Sequence, residues 1–287
     1  MLPYVWKAFG LCTCCCVALS SCESDGNEGG GNAPYTERLV SEITGVEYYD
    51  GYENKPYRRH AREQFFYDDE KRLDRWISTR EWGGHDYQFF YESEDHISIF
   101  GDRWTDASAR EAVVAEIDLN AAGLAESVDL GDDDPYAFRY AGGRLSQRID
   151  PSGHTATYTW ENGDLTAIGV FPNPYPSQSG DYLETCRYSD EPMRTNLDLN
   201  HLAYGTEYYS LFVNISIGSM LGLAGFFGRN AHCVAGNYLD PDADGVRVDI
   251  RWKFDADGYP TGWTADYWDL GASEKDSGWE YTIRYEN

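Results

Sequence analysis

The chain has 287 residues, of which 41% are hydrophobic, 15% aromatic and 25% charged, with 23 Lys and Arg against 49 Asp and Glu. This composition is that of a folded globular protein, neither a disordered chain nor a bundle of membrane helices. The formal net charge of −26 disfavours nucleic acid and anionic lipid surfaces as partners, because both are bound through Lys and Arg.

The first segment predicts an export signal. Residues Met1–Ser21 carry one charge, Lys7, followed by the apolar run Ala8–Leu19, which is shorter than the roughly 20 residues that a membrane-spanning helix needs. The string Leu19-Ser20-Ser21-Cys22 resembles the lipobox of bacterial lipoproteins, in which the signal is cut before the cysteine and that thiol is lipidated. This resemblance implies a lipoprotein signal peptide over 1–21, lipidation of Cys22 and attachment to the membrane through the lipid.

The next residues predict a flexible tether over 22–35. Three glycines, Gly29–Gly31, interrupt a polar stretch without apolar periodicity, and such stretches do not form a packed core. We expect one β domain over 36–287, since β chains of this length commonly fold as a single unit. The predicted location is the cell envelope, lipid-anchored at the outer membrane and either periplasmic or surface-exposed.

A short unit recurs along this domain: a strand ending in a large apolar residue, a polar or glycine-rich turn, and an apolar or aromatic residue opening the next strand. Turns of this kind accommodate positive φ and typically join antiparallel strands. Six copies are present, at Tyr67 to Leu73, Tyr91 to Ile97, Leu119 to Leu124, Tyr140 to Leu145, Trp160 to Leu165 and Phe254 to Tyr259.

The flanking runs alternate with the two-residue period of a strand. Val248, Ile250, Trp252 and Phe254 share one face, and charged residues occupy the positions between them. We therefore predict an all-β fold, a long antiparallel meander of repeated hairpins that forms a curved, partly closed sheet with one aromatic face.

One segment has a competing interpretation. Ser108–Glu111 has the pattern of a helix capping box and precedes alanine-rich sequence. We favour a strand over Ala112–Leu119, because this run leads directly into the turn of the third hairpin unit.

The most apolar stretch, Tyr208–Arg229, is interrupted by glycines, which weaken a lipid-exposed helix. We expect a strand there, followed by one short helix or apolar loop that covers the aromatic face of the sheet. Such a cover is needed because an uncovered aromatic face would exceed the few hundred Å² that soluble proteins expose.

Several stretches resemble a family of envelope lipoproteins catalogued as domain of unknown function 4595, which is described as having a porin-like fold. They are Phe66–Asp69 with Arg72-Leu73, Tyr140–Leu145, Thr195–Asn200, Leu221–Gly228 and Asp255–Pro260. The hairpins also resemble the Tyr-Asp repeats of bacterial shell-forming toxins, with Tyr67-Asp68 as the one literal pair. The resemblance implies a fold and a location, and no biochemical activity.

Two candidate sites lie in the domain. Cys186 and Cys233 are the thiols that remain beyond the anchor; an oxidising compartment favours a disulfide between them, and two buried free thiols are the alternative. Asp240, Asp242 and Asp244 match the first half of a calcium loop. Arg251 stands where the twelfth-position carboxylate belongs, so a solvated acidic turn is favoured over a weak Ca²⁺ site.

No catalytic residue can be assigned. The six histidines are dispersed, and no HExxH, GxSxG, zinc-ligand or phosphate-binding glycine pattern is present. We therefore expect no cofactor, nucleotide or nucleic acid, and a non-enzymatic binding or structural module whose partner is a glycan or an envelope protein. The alternatives are a glycan-active enzyme and a calcium-dependent adhesion module.

Replacing the predicted lipidation site tests the predicted attachment to the membrane. Cys22→Ser should abolish acylation and release the protein from membranes, because no thiol remains at the cleavage site to accept lipid. Metabolic labelling with palmitate, followed by membrane fractionation, measures both effects. Continued labelling of the variant would show that the prediction is wrong.

Overall fold

The fold is seen in a computed structural model, which describes residues 38–49, 57–81, 83–106, 109–131, 134–171, 182–203, 215–239, 246–269 and 277–286. The strands of the first half are β1 (Val40–Tyr49), β2 (Tyr57–Tyr67), β3 (Leu73–Arg80), β4 (Gly83–Tyr91), β5 (His96–Asp106), β6 (Ala109–Leu119), β7 (Ala125–Asp129) and β8 (Tyr136–Ala141). The second half contains β9 (Arg144–Ile149), β10 (Thr155–Glu161), β11 (Asp164–Phe171), β12 (Tyr182–Pro192), α1 (Asn200–Ala203), α2 (Ile215–Leu223), β13 (His232–Leu239), β14 (Val246–Phe254), β15 (Pro260–Asp269) and β16 (Ser277–Tyr285).

All 16 strands form one closed antiparallel barrel in which each strand pairs with its neighbours in sequence. Closure is made by β1 and β16, whose register runs from Val40 opposite Tyr285 to Tyr49 opposite Ser277. The predicted all-β antiparallel meander is confirmed. The sheet closes completely, because joining β1 to β16 leaves no edge strand with unpaired backbone groups.

The six hairpin units predicted from the sequence are all present. The turn between β10 and β11 shows why its residues are needed: Asn162 and Gly163 form a two-residue loop with φ of 52° and 94°, values that Asn and Gly adopt most readily. The segment Ala109–Leu119 is a strand, so the strand interpretation is confirmed over the helix.

The inner face of the barrel wall is mainly apolar, and the outer face is charged. Large side chains such as Trp76, Tyr87, Phe89 and Trp263 point inward and are at most 3% exposed. Ion pairs cover the outer face, among them Arg75–Asp86, Arg251–Asp266 and Lys253–Glu280, each with a closest N–O distance of 2.6 Å. The aromatic face predicted from the strand alternation is therefore the inner face.

The segments 193–203 and 215–231, here called the plug, close one end of the barrel. The backbone N–H groups of Ala125 and Leu145 donate to the carbonyls of Phe226 and Phe227, each at 3.0 Å. Because these bonds join the plug to strand ends at the tight hairpin turns, we call this the closed end. No helix among the described residues is long and apolar enough to cross a membrane.

The predicted cover is confirmed in part. The helix expected within Tyr208–Arg229 is α2, whose side chains from Ile217 onward are buried. The strand expected at the start of that stretch falls largely on 204–214, outside the described residues. The glycine-containing turn after α2 supplies the carbonyls that bond to the barrel wall.

Near the closed end, seven of the eight even-numbered strands carry a Tyr or Trp whose hydroxyl or indole N–H donates to a backbone carbonyl of the preceding strand. The donor–acceptor distances lie between 2.5 and 2.9 Å. We call this ring of contacts the aromatic girdle; its donor and acceptor pairs are Tyr67–Val40, Tyr91–Leu73, Tyr140–Ala125, Trp160–Leu145, Tyr188–Leu165, Trp252–Val234 and Tyr285–Pro260.

Removing one girdle hydroxyl should weaken the fold. The Tyr140 hydroxyl donates to the carbonyls of Ala125 and Phe226 at 2.5 and 3.2 Å, so Tyr140→Phe leaves both with one partner fewer. We expect the free energy of unfolding to fall by about 1–3 kcal/mol, measured by urea denaturation. Tyr238→Phe is the matched control, since that hydroxyl bonds to no described residue, and a change above about 0.5 kcal/mol there, or none in Tyr140→Phe, would contradict the role of the girdle.

Candidate ligand pocket at the closed end

The aromatic girdle has one gap, at Leu119 on β6. The equivalent positions in the other even-numbered strands carry Tyr or Trp. At this gap the strand ends stay joined through their backbones, since the N–H of Leu119 donates to the carbonyl of Asp95 at 2.8 Å. No side-chain donor is needed there, and the smaller leucine leaves space against the plug.

A cavity of about 420 Å³ lies at this gap, between the plug and the turns that follow β2, β4 and β6. Its volume falls within the roughly 300–1,000 Å³ of small-molecule sites. We call it the plug-end pocket. Its apolar and aromatic lining is Leu39, Tyr67, Leu73, Tyr91, Leu119, Gly123, Leu197, Ala224 and Phe226, and its polar lining is Glu70, Lys71, Arg72, Ser93, Glu94, Asn196 and Arg229.

Arg72 is fixed at the rim by its neighbours. It donates from Nε to Asp68 at 2.7 Å, pairs with Glu70 at 3.1 Å, and places its guanidinium 4.1 Å from the centre of the Tyr91 ring. A guanidinium in this position is partly neutralised by the carboxylates and stacked on the aromatic face. Lys71, the next residue, has φ of 63° and makes no ion pair with a described residue.

Arg229 enters the pocket from the plug. Its guanidinium donates to the carbonyls of Asn196 and Thr195 at 2.5 and 2.8 Å. These bonds hold the two described parts of the plug together, and they place a cation in the pocket wall.

The tyrosine hydroxyls of the pocket cannot serve as proton acceptors. Burial raises the pKa of Tyr67 and of Tyr91 well above the ordinary value. Both hydroxyls stay protonated and donate to the carbonyls of Val40 and Leu73. The pocket therefore offers a fixed apolar and aromatic wall and a charged rim.

A second polar cluster lies inside the barrel wall. Glu63 accepts from Trp76 Nε1 and Ser78 Oγ, each at 2.9 Å, and from Arg80 at 3.2 Å; Arg80 also pairs with Glu47 at 3.2 Å. Burial raises the pKa of Glu63 although Arg80 acts the other way. Both oxygens of Glu63 have partners, and the cluster joins β1, β2 and β3. We therefore assign it a structural role.

Two further buried groups have strongly shifted pKa values. Burial lowers the pKa of His85 to about 3, with Arg80 and Arg103 acting in the same direction, so this imidazole is neutral at physiological pH. Burial raises the pKa of Glu184 to about 8, although a hydrogen bond from Asn237 opposes the shift. Glu184 is therefore largely protonated at neutral pH.

The cysteine prediction is corrected by the structure. Cys186 and Cys233 are both buried, and neither forms a disulfide. Cys186 pairs with Asn237, whereas Cys233 adjoins Val234, which pairs with Tyr188; this offset of about three residues is roughly 10 Å along the strands, beyond the reach of a disulfide. Burial raises the pKa of Cys233, as expected of an unreactive thiol.

The other predicted site residues lie outside the described part of the chain. These are Cys22 and the acidic positions Asp240, Asp242 and Asp244. Within the described ranges, no group of three or more His, Cys, Asp and Glu is arranged to hold a metal ion.

A wider depression of about 660 Å³ lies on the outer wall across β16, β1, β2 and β3. It is more open than the plug-end pocket, and most of its lining side chains, such as Thr44, His60 and Thr282, belong to the solvent-facing side of the strands. A ligand there would stay partly hydrated, so we take the plug-end pocket as the candidate site.

The sequence did not single out this pocket. Arg72-Leu73, Thr195–Asn200 and Leu221–Gly228 are among the stretches that resemble the envelope family, but no sequence pattern indicated that they meet at one pocket. A signal for the gap was present, however: among the residues that end the six hairpin units, Leu119 is the one that is not aromatic.

The described residues form a closed antiparallel barrel of 16 strands with a mainly apolar interior and a plug at one end. Comparison with protein-family models and with curated proteins gives no match. A porin-like protein from Bacteroides uniformis ATCC 8492 has a similar structure, with a TM-score of 0.59 at 13% identity over 86% of this chain and 98% of that one. This likeness establishes a porin-like fold.

Two further solved structures align over similar lengths with lower scores. A porin-like protein from Bacteroides vulgatus ATCC 8482 gives a TM-score of 0.42 at 11% identity, covering 87% of this chain and 99% of that one. A beta-barrel-like protein of a domain of unknown function from Brucella abortus gives 0.27 at 9% identity over the same shares.

The protonated Glu184 predicts a pH-dependent stability. Its folded pKa of about 8 lies above the ordinary 4.5, so the folded state holds a proton that the unfolded chain releases between these values. The free energy of unfolding should therefore fall as pH rises through this range, by about 1.4 kcal/mol for each pH unit.

Urea denaturation at pH 5 and pH 8 measures this effect. Glu184→Gln keeps the amide contact with Asn237 and removes the ionisable group, so it should reduce the loss of stability between the two pH values. Glu126→Gln, an exposed carboxylate, is the control. An unchanged pH dependence in Glu184→Gln would contradict the buried, protonated state.

Proposed function

We propose that this chain is a lipid-anchored, non-enzymatic binding module of the cell envelope, and that it takes a small ligand in the plug-end pocket. The observation that carries the proposal is the coincidence of the single gap in the aromatic girdle with a cavity of about 420 Å³. Departures from a repeated local rule are expected at functional or strained positions, and the backbone bond from Leu119 to Asp95 keeps the strands joined at this one.

The lipid anchor and the outer-membrane location belong to this proposal and rest on the signal and the lipobox-like string before Cys22. The described chain begins at the closed end, where Arg38 pairs with Asp255 and Asp257 in the β14–β15 turn at 2.6 and 2.8 Å. An anchor at Cys22 would therefore lead into the barrel beside the pocket, which Leu39 helps to line.

Two features of the barrel favour binding of a ligand over conduction through a pore. The plug is bonded to strand ends at the closed end, and the outer face carries ion pairs such as Arg75–Asp86. A barrel that spans a membrane presents its apolar band outward, the reverse of this arrangement. The porin-like fold is thus proposed to act as a receptacle at the membrane surface.

Kinship with the family catalogued as domain of unknown function 4595 is part of the proposal. It rests on the hairpin and turn strings such as Asp255–Pro260 together with the porin-like fold. Conservation of aromatic residues at the seven girdle positions across that family would support it.

Filling the gap tests the pocket. Leu119→Tyr places an aromatic ring where the other even-numbered strands carry one, and it should lower the affinity for anilinonaphthalene sulfonate by at least about tenfold, since the ring occupies the cavity. Fluorescence titration of the full chain carrying Cys22→Ser measures binding, and circular dichroism measures folding. Ala224→Leu fills the pocket from the plug side and serves as a second variant.

Phe100→Ser is the matched control. Phe100 is 43% exposed on the outer wall, near Phe90 and Val114, so this change removes part of an apolar surface that could bind the dye without touching the pocket. Undiminished dye binding by both folded filling variants, with binding lost in Phe100→Ser instead, would overturn the proposed site.

A further inference from the structure

We infer that the plug-end pocket binds a single acyl chain that carries an anionic head group. The inference rests on the proposed function, because it names the ligand class of the same site. It follows from the lining of the pocket, the charges at its rim and its place on the barrel.

The walls suit a hydrocarbon chain. Leu73, Leu119, Leu197 and Phe226 come from β3, β6 and the two described parts of the plug. These side chains belong to different elements that are tied together by backbone bonds, including Asp198 N–H to the carbonyl of Leu223 at 2.8 Å. The apolar lining is therefore preformed, and a ligand loses little affinity to reorganisation.

The rim suits an anionic head group. Three cations, Lys71, Arg72 and Arg229, line the pocket with two carboxylates, Glu70 and Glu94, and Asp68 pairs with Arg72 at 2.7 Å beside it. The rim is thus balanced in charge, in a chain whose net charge is −26. Glu70 is already paired with Arg72 at 3.1 Å. Lys71, exposed and without an ion pair to any described residue, remains available to a ligand carboxylate or phosphate.

The position of the pocket makes it accessible to acyl chains from two sources. Leu39 lines the pocket, and 16 residues separate it from Cys22. Such a tether reaches several tens of Å when extended, enough for the protein's own acyl group to fold back. A free fatty acid or the chain of a neighbouring lipid would approach the same opening.

The ligand class is tested with dodecanoate and dodecanol, which share a chain and differ in head-group charge. Competition with anilinonaphthalene sulfonate is followed in the full chain carrying Cys22→Ser. Dodecanoate should bind about three- to fivefold more tightly than dodecanol, since one partly exposed ion pair contributes at most a factor of about five. Lys71→Gln should lower dodecanoate affinity about three- to fivefold and leave dodecanol unchanged, and Lys253→Gln, on the outer wall, should change neither.

The outcomes separate this inference from the proposed function. If the dye binds and Leu119→Tyr blocks it, but neither dodecyl compound competes, the pocket stands and the acyl ligand is overturned. Equal affinity for the two compounds would overturn the anionic head group. If neither the dye nor either dodecyl compound binds, both proposals are overturned.

A second arm identifies the source of the chain. Dodecanoate binding is compared between Cys22→Ser and the acylated protein extracted in mild detergent. Weaker binding in the acylated protein assigns the pocket to the protein's own lipid, and equal binding assigns it to a separate amphiphile.

Discussion

The barrel depends on aromatic side chains that do two things at once. Each girdle residue packs its ring against the apolar interior and donates a hydrogen bond to a backbone carbonyl of the preceding strand, as Tyr91 does to Leu73. A carbonyl left without a partner in that interior would cost about 1–3 kcal/mol. The girdle therefore satisfies the backbone where strands separate toward their turns, and it fixes the register of each hairpin against the previous one.

The plug and the pocket follow from this arrangement. A ring of 16 strands needs something to fill it when its inner face is apolar, and the plug does so by bonding its carbonyls to the strand ends near the girdle. At β6 the backbone bond from Leu119 to Asp95 makes a girdle donor unnecessary. The leucine at that point leaves the cavity in which we place the ligand.

Sequence patterning predicted the hairpins well because their causes are local. Asn162-Gly163 adopts the positive φ that a two-residue turn requires, and the alternation along β14 assigns each residue to one face. Closure of the sheet was less predictable, since Val40 and Tyr285 pair across almost the whole chain. The disulfide prediction was wrong because composition and compartment say nothing about the register that separates Cys186 from Cys233.

The sequence by itself determined the acidic net charge, the antiparallel strands and the aromatic face, because these depend on composition and a two-residue period, and a short motif predicted an export signal. Only the tertiary structure decided that the aromatic face points inward, that the plug closes one end, and that Lys71, Arg72 and Arg229 meet beside Leu119. These features depend on contacts between residues far apart in the chain. Such contacts are set by how the closed barrel packs as a whole, and no local pattern encodes them.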